Sequence, residues 1–239
     1  MILFFATRLI VNFIYFIINF SMYPTKCSWL LRQNKALSFP TSLPVLEELC
    51  GGIHPGQIIE FCGPSGIGKS KICMHLIQDC LKDGKKVVLV SSRRLHKEEL
   101  QKITHPKNVS IFYVSSVFDL LSTLHVVDGM QTSLVVIEGV QSLLQAVLGS
   151  ANFRGQALLN DVKCCMGALA VKSVILYTNG IVSIGDGKHG PALGRGWEIV
   201  PSVRIMILNS CDGKRSMWRN REKTAELVID NDGVNIFWE

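Results

Sequence analysis

The sequence predicts an α/β fold, with a mostly parallel sheet, helices on both faces and antiparallel strands at the C-terminal end. Three observations predict it. Short apolar runs alternate with amphipathic segments between residues 57 and 178, a phosphate-loop motif follows the first run, and short strands separated by turns fill the tail. The 239 residues suffice for one domain with a full core, and 48% hydrophobic against 18% charged residues excludes disordered and low-complexity classes.

The first strand and the loop after it form the most specific motif of the chain. Residues 57–62 (QIIEFC) are of strand type and lead into the pattern GxxxxGK[ST], made of Gly63, Pro64, Ser65, Gly66, Ile67, Gly68, Lys69 and Ser70. Glycines let backbone N–H groups surround phosphate oxygens, and the positive end of the following helix adds to the attraction. Lys69 is expected to reach the β- and γ-phosphates. The motif therefore predicts nucleotide binding.

A magnesium site is expected beside this loop. The Ser70 hydroxyl suits Mg²⁺, which prefers oxygen ligands. A second strand pattern, residues 133–137, ends in Glu138, and ligands of open α/β sheets bind at such carboxyl ends. Aspartate is usual there, and the extra methylene of glutamate moves the carboxylate by about 1.5 Å. The alternative interpretation of Glu138 is a charged residue that merely ends a strand.

The remaining elements follow from periodicity and turn residues. The helix after the phosphate loop is expected to stop at Gly84. Further strands are predicted at residues 86–90, 110–114, 133–137 and 173–178, and helices at 97–103, 118–126, 140–147 and 156–171. Four short strand patterns occupy residues 203–238, where turns with Asp-Gly at 212–213 and 232–233 predict antiparallel hairpins at the edge of the sheet.

Residues 1–20 (MILFFATRLIVNFIYFIINF) are nearly all apolar, but Arg8, Asn12 and Asn19 interrupt them. The uninterrupted stretch is too short for a spanning helix, which needs about 20 residues. Three interpretations stand: a marginal membrane anchor, an extra helix or strand packed on the core, or a start codon chosen too early. We favour the last, with translation beginning at Met22. The expected organisation is an apolar extension over 1–21, a short linker over 22–45 and the P-loop core over 46–239.

The cysteines and the net charge narrow the functional classes. The eight cysteines contain no CxxC pair, and several lie in apolar periodic segments, which is typical of small core side chains in a reducing compartment. The six histidines show no ligand spacing, so no zinc site is expected. A net charge of +6 permits a polyanionic partner without requiring one.

Three segments resemble the eukaryotic RecA-type recombinases. Residues 46–56 (LEELCGGIHPG) are similar to the entry to their ATPase core, and residues 177–179 (YTN) resemble their sensor strand. Residues 191–204 (PALGRGWEIVPSVR) resemble a block of the recombinase paralogues, closest to the D-type paralogue. The resemblance covers about residues 38–234 and implies a RecA-like P-loop ATPase core that binds ATP and Mg²⁺. Fewer than twenty residues between Met22 and this core leave no room for the family's N-terminal helical domain.

Departures from the family pattern predict that the protein binds ATP but hydrolyses it only slowly. The family's catalytic glutamate corresponds to Ser92, and a serine without a base of its own is no general base at neutral pH. The family's γ-phosphate-sensing glutamine corresponds to Gly180, which weakens the expected link between nucleotide and DNA loops. No catalytic residue is therefore assigned. Three carboxylates are candidate replacements for the base, two on a presumed exposed helix and one within a strand: Glu98, Glu99 and Glu60. Four basic residues are expected only to mark the solvated ends of a buried strand: Lys85, Lys86, Arg93 and Arg94.

Two loops correspond to the family's DNA-binding loops. They map to residues 149–155, with Arg154, and 180–196, with Lys188, His189 and Arg195. Basic side chains in glycine-rich loops suit sequence-independent contact with phosphates, and the alternative is a solvated flexible loop. Trp197 is expected to anchor the second loop on the core.

The resemblance implies a nuclear ATP-binding paralogue in homologous-recombination repair of DNA damage and in meiosis. It would associate with the strand-exchange recombinase or another paralogue on single-stranded DNA, and remodel or stabilise the recombinase filament. No stable membrane association is expected. One alternative is an autonomous DNA-dependent ATPase with strand-exchange activity. A second, which requires residues 1–20 to be genuine, is a membrane-tethered P-loop signalling ATPase.

Overall fold

The part of the chain that the structure describes forms a nine-stranded sheet with helices. The structure is a computed structural model and describes residues 40–103, 105–149, 152–185, 189–210, 213–219, 222–230 and 233–238. The predictions for residues 1–39 lie outside these ranges. No helix within them has the length and apolar character needed to cross a membrane.

Six parallel strands form the larger part of the sheet, in the spatial order β3-β2-β4-β5-β1-β8. They are β1 (Ile58–Cys62), β2 (Val87–Ser91), β3 (Val109–Tyr113), β4 (Leu134–Glu138), β5 (Val174–Asn179) and β8 (Val203–Asn209). All residues of β1, β2, β4 and β5 are buried. Burial on both faces explains why these strands are continuous apolar runs rather than alternating patterns.

Three antiparallel strands extend the sheet beyond β8, as the turn residues predicted. They are β9 (Arg215–Arg219), β10 (Glu222–Ile229) and β11 (Val234–Trp238), each paired with its predecessor in the chain. The predicted fold class is therefore confirmed. A separate hairpin of β6 (Ile181–Ser183) and β7 (His189–Pro191) lies within the second predicted DNA loop.

Helices cover both faces of the sheet and divide the core into two clusters. The helices are α1 (Pro44–Cys50), α2 (Lys69–Lys82), α3 (Lys97–Gln101), α4 (Val117–Asp128), α5 (Val140–Leu144) and α6 (Phe153–Ala170). Apolar side chains of α1 and α2 pack on one face, together with the inner face of β9–β11. Those of α4, α5 and α6 pack on the other. Leu43 is also buried, so core side chains begin before residue 46.

The first predicted DNA loop is shorter than expected. The Asn152 side chain accepts a hydrogen bond from the Gly155 amide at 2.9 Å, which caps α6 and starts the helix at Phe153. Arg154 consequently lies in the first turn of a helix rather than in a loop, and its side chain is exposed.

Trp197 anchors the end of the second loop on the core, as predicted. Its side chain is buried, and its indole N–H donates to the Tyr177 hydroxyl on β5 at 3.0 Å. The two rings meet edge to face, with centroids 6.1 Å apart. This arrangement satisfies both buried polar groups and fixes the turn at Arg195–Trp197 against the sheet.

Candidate nucleotide site

At two positions, the loop between β1 and α2 has a backbone conformation that only glycine adopts readily. Gly66 and Gly68 have φ of +76° and +115°. A Cβ atom on Gly68 would also lie 2.0 Å from Cδ1 of Ile229, at the end of β10. The glycine therefore lets the C-terminal strands pack directly against the loop.

A cavity of about 390 Å³ opens at this loop, at the carboxyl ends of the central parallel strands. It brings together residues that are far apart in the sequence. Its walls include Ser65, Gly66, Gly68, Lys69, Ser70, Ser92, Arg93, Glu138, Gly139, Thr178, Arg215 and Ile229. Five of the eight predicted loop residues thus share one cavity with the predicted metal ligand Glu138.

The Lys69 ammonium group lies inside the curve of the loop. Its Nζ donates to the carbonyl oxygens of Gly63 and Pro64, each at 2.7 Å. Burial lowers the pKa of Lys69, since partial desolvation disfavours the charged form. An anion that entered the cavity would relieve this cost, so the position suits a phosphate group.

Glu138 ends β4 with a carboxylate that is only partly satisfied. Its side chain is 3% exposed, and Oε2 accepts a long hydrogen bond of 3.5 Å from the Ser91 hydroxyl. Oε1 is buried and has no hydrogen-bond partner among the described residues. Burial raises the pKa of Glu138, while the Arg93 charge and the Ser70 hydroxyl act in the opposite direction. A buried carboxylate oxygen without a partner, beside a serine hydroxyl, fits the oxygen ligands that a hydrated Mg²⁺ prefers.

Ser92 carries a small hydroxyl group at the position that the family resemblance gives to a catalytic glutamate. The Ser142 hydroxyl on α5 donates to the Ser92 Oγ at 3.1 Å. Glu60 is fully buried, where it forms an ion pair with Arg204 and accepts from Asn179 Nδ2 at 2.7 Å. These contacts hold Glu60 away from any role as a base.

The other two candidate bases also lie outside the cavity. Glu98 is exposed, whereas Glu99 is half-buried and accepts two hydrogen bonds from Arg93. Hydrogen bonding from Arg93 lowers the pKa of Glu99 against the effect of burial, so this carboxylate is a poor proton acceptor at neutral pH. No residue of α3 is buried, as expected for an exposed helix, and Arg93 holds the Glu99 carboxylate there.

Arg93 is the functional candidate that sequence analysis missed. It was expected to mark the solvated end of a strand, but it lines the cavity and forms ion pairs with Glu99 and Glu138. The sequence offered one signal, which is a basic residue directly after Ser92 at the carboxyl end of a buried parallel strand.

Gln141 fills the space beside Gly180, the position at which the family resemblance places a sensing glutamine. A Cβ atom on Gly180 would lie 1.7 Å from Oε1 of Gln141. The same corner of the sheet is held by a hydrogen bond of 2.8 Å from the Gly139 amide to the Thr178 hydroxyl. A side chain at position 180 therefore requires Gln141 to move.

The predicted DNA contacts are described only in part. Arg154 is exposed at the start of α6, and Lys188 lies outside the described residues. The backbone of Arg195 forms the turn that ends at Trp197, and its side chain is not described. Lys163 of α6, which sequence analysis missed, places its Nζ 5.9 Å from the centre of the Trp197 ring, beside this turn.

Comparisons with known proteins find relatives that function in DNA repair and recombination by name. The chain is 25% identical over 232 residues to DNA repair protein RAD51 homolog 4 of Bos taurus, a match that covers 84% of this chain and 71% of the relative. It is 24% identical over 211 residues to DNA repair and recombination protein RadB of Methanococcoides burtonii, covering 80% and 94%.

A third relative, DNA repair protein RAD51 homolog 4 of Mus musculus, is 25% identical over 219 residues, covering 79% of this chain and 67% of the relative. No family model matches the sequence. The similarities, together with the mostly parallel sheet and its antiparallel C-terminal strands, support a place in the RecA/RAD51 superfamily.

Proposed function

We propose that this protein is an ATP-binding recombinase paralogue, of the D type, that hydrolyses ATP weakly and assists homologous-recombination repair in the nucleus. The observation that carries the proposal is the cavity in which Lys69, Ser70 and Glu138 converge while Ser92 stands where a catalytic base would be needed. We infer that Lys69, Ser70 and Glu138 hold Mg²⁺-ATP, and among the described residues that line the cavity no carboxylate besides Glu138 could activate water.

In the proposed site each residue has a separate task. The loop from Gly63 to Ser70 surrounds the phosphates with backbone N–H groups, and Lys69 contacts the β- and γ-phosphates. Ser70 and Glu138 hold Mg²⁺, which neutralises phosphate charge when bound. Thr178 supports the carboxyl end of β4 through its hydrogen bond with Gly139.

The proposed partners are the strand-exchange recombinase or a second paralogue, and single-stranded DNA. The names of the relatives support this, because all refer to DNA repair, and RadB also to recombination. We propose that the protein stabilises or remodels the recombinase filament, with Arg154, Lys188 and Arg195 contacting DNA phosphates. Lys163, close to the turn at Trp197, adds a fourth cation to this set.

Nucleotide binding by the purified protein tests the proposal. We expect the wild type to bind Mg²⁺-ATP, and Lys69→Ala to lose this binding while keeping its fold by circular dichroism. Hydrolysis is expected to stay slow with single-stranded DNA present. Robust DNA-stimulated turnover that Lys69→Ala abolishes would instead favour an autonomous strand-exchange ATPase, and a wild type that binds no nucleotide would contradict both.

A further inference from the structure

Two carboxylates hold the Arg93 guanidinium at one end of the nucleotide cavity. Its Nη1 and Nη2 atoms donate to the two oxygens of Glu99 at 2.8 and 2.6 Å. Nη2 also lies 3.6 Å from Oε2 of Glu138. A paired, two-bond contact of this kind fixes the plane of the guanidinium as well as its position. Arg93 is therefore oriented before any ligand arrives.

The position of Arg93 corresponds to the far end of a triphosphate. Ser91 of β2 pairs with Glu138 of β4 in the sheet, so the chain leaves β2 directly beside the expected metal ligand. A phosphate loop holds the inner phosphates with its backbone, while its lysine and its metal reach the outer ones. Arg93 lies on the Glu138 side of the cavity, which is the side on which the outer phosphate is expected.

We propose that Arg93 is a ligand of the terminal phosphate and that it makes the site prefer ATP to ADP. The proposal rests on the ATP-binding function proposed above. Without a nucleotide, Arg93 balances the charge of Glu138. Once Glu138 serves Mg²⁺, Arg93 stays paired with Glu99 and donates its remaining N–H groups to the γ-phosphate oxygens. ADP lacks these oxygens, so with ADP Arg93 gains no new partner.

The sequence supplies a matched control for the test. Arg94 is the next residue, carries the same charge and is exposed, and it does not line the cavity. Replacing either arginine by glutamine changes the net charge equally. A difference between the two variants therefore reports the position of Arg93 rather than the overall charge of the protein.

Competition against a fluorescent nucleotide measures the affinities of the full chain for a non-hydrolysable ATP analogue and for ADP, each with Mg²⁺. For Arg93→Gln we expect the Kd of the ATP analogue to rise about 10- to 100-fold, as for loss of a hydrogen bond between charged groups. The Kd of ADP should stay within about twofold, since that complex does not involve the bond. Arg94→Gln should leave both unchanged.

If Arg93→Gln changes the Kd values of the two nucleotides equally, or changes neither, the proposal is overturned. Arg93 would then serve only to hold α3 in place through Glu99. If Arg93→Gln does not fold, Arg93→Lys provides the measurement. It keeps the charge but not the paired geometry, so the preference for ATP should fall several-fold, and an unaltered preference would overturn the proposal. A wild type that binds neither nucleotide would refute the ATP-binding function itself.

Discussion

At the scale of single residues, the proposed slow hydrolysis of ATP depends on Ser92. Ser92 lines the cavity, and its hydroxyl contacts that of Ser142. Water attack on a phosphate is assisted by a positioned carboxylate that accepts a proton, and a hydroxyl group cannot replace it. We therefore expect slow turnover with intact ATP binding.

Restoring a carboxylate at this position should therefore raise turnover. We expect Ser92→Glu to increase the rate of ATP hydrolysis about 10²-fold, the low end of the contribution of general-base catalysis. Phosphate release under saturating Mg²⁺-ATP measures it. Ser92→Gln is the control, because it has nearly the same shape and no basic oxygen. Equal rates in the two variants would show that something other than the missing base limits hydrolysis.

Some residues of the site could be predicted because they belong to a local sequence pattern. Others could not, because their position depends on contacts between distant parts of the chain. Lys69 and Ser70 belong to a contiguous motif, and Glu138 ends a strand, so spacing alone placed them at one edge of the sheet. Arg93 was missed because its role depends on Glu99, which α3 brings back toward the cavity. A long side chain at a strand end can turn to solvent or to the site, and only the tertiary contact distinguishes them.

At the scale of elements, Asp79 ties the chain before α1 to the helix that carries the phosphate loop. Its Oδ2 accepts hydrogen bonds from the Thr41 hydroxyl at 3.0 Å, the Ser42 amide at 2.7 Å and the Ser42 hydroxyl at 2.8 Å. Its side chain is 5% exposed. Burial opposes ionisation, but hydrogen bonds from Ser42 and Thr41 outweigh it and lower the pKa of Asp79.

Asp79→Asn should lower the free energy of unfolding by about 2 kcal/mol at pH 7, as for hydrogen bonds to a buried charge. The folded-state pKa lies below the ordinary value of 3.8, so this stabilisation is fully present above that value. It is lost as the pH falls through the folded-state pKa. Urea unfolding at pH 7 and near pH 3 should therefore show that the difference in free energy of unfolding between wild type and variant is smaller in acid. Asp83→Asn, at the more exposed end of α2, is the control.

Periodicity predicted most elements because each strand of the parallel sheet is a separate apolar run between turns. It failed where a side-chain contact sets the boundary. The Asn152 cap starts α6 at Phe153, although the apolar pattern becomes periodic only later. The small β6–β7 hairpin was missed because each of its strands has only three residues and it lies outside the main sheet.

At the scale of the whole molecule, the sheet separates the two proposed sites. The phosphate loop and the C-terminal strands share one face, where Ile229 packs against Gly68. Trp197 and α6 pack on the other face, so the proposed DNA residues Arg154 and Arg195 belong to elements anchored there. Contacts at the proposed DNA surface can thus be altered without touching the phosphate loop.

This separation gives a prediction for the salt dependence of single-stranded DNA binding. Each phosphate neutralised on a single strand contributes about −0.7 to the slope of log K against log salt concentration, so Arg154→Gln with Arg195→Gln should reduce the slope by about 1.4. Anisotropy of a labelled oligothymidine over a salt series measures it. The control is Lys97→Gln with Lys107→Gln, which removes the same charge from two exposed positions. Equal changes of slope in both double variants would mean that net charge, rather than these two arginines, attracts the DNA.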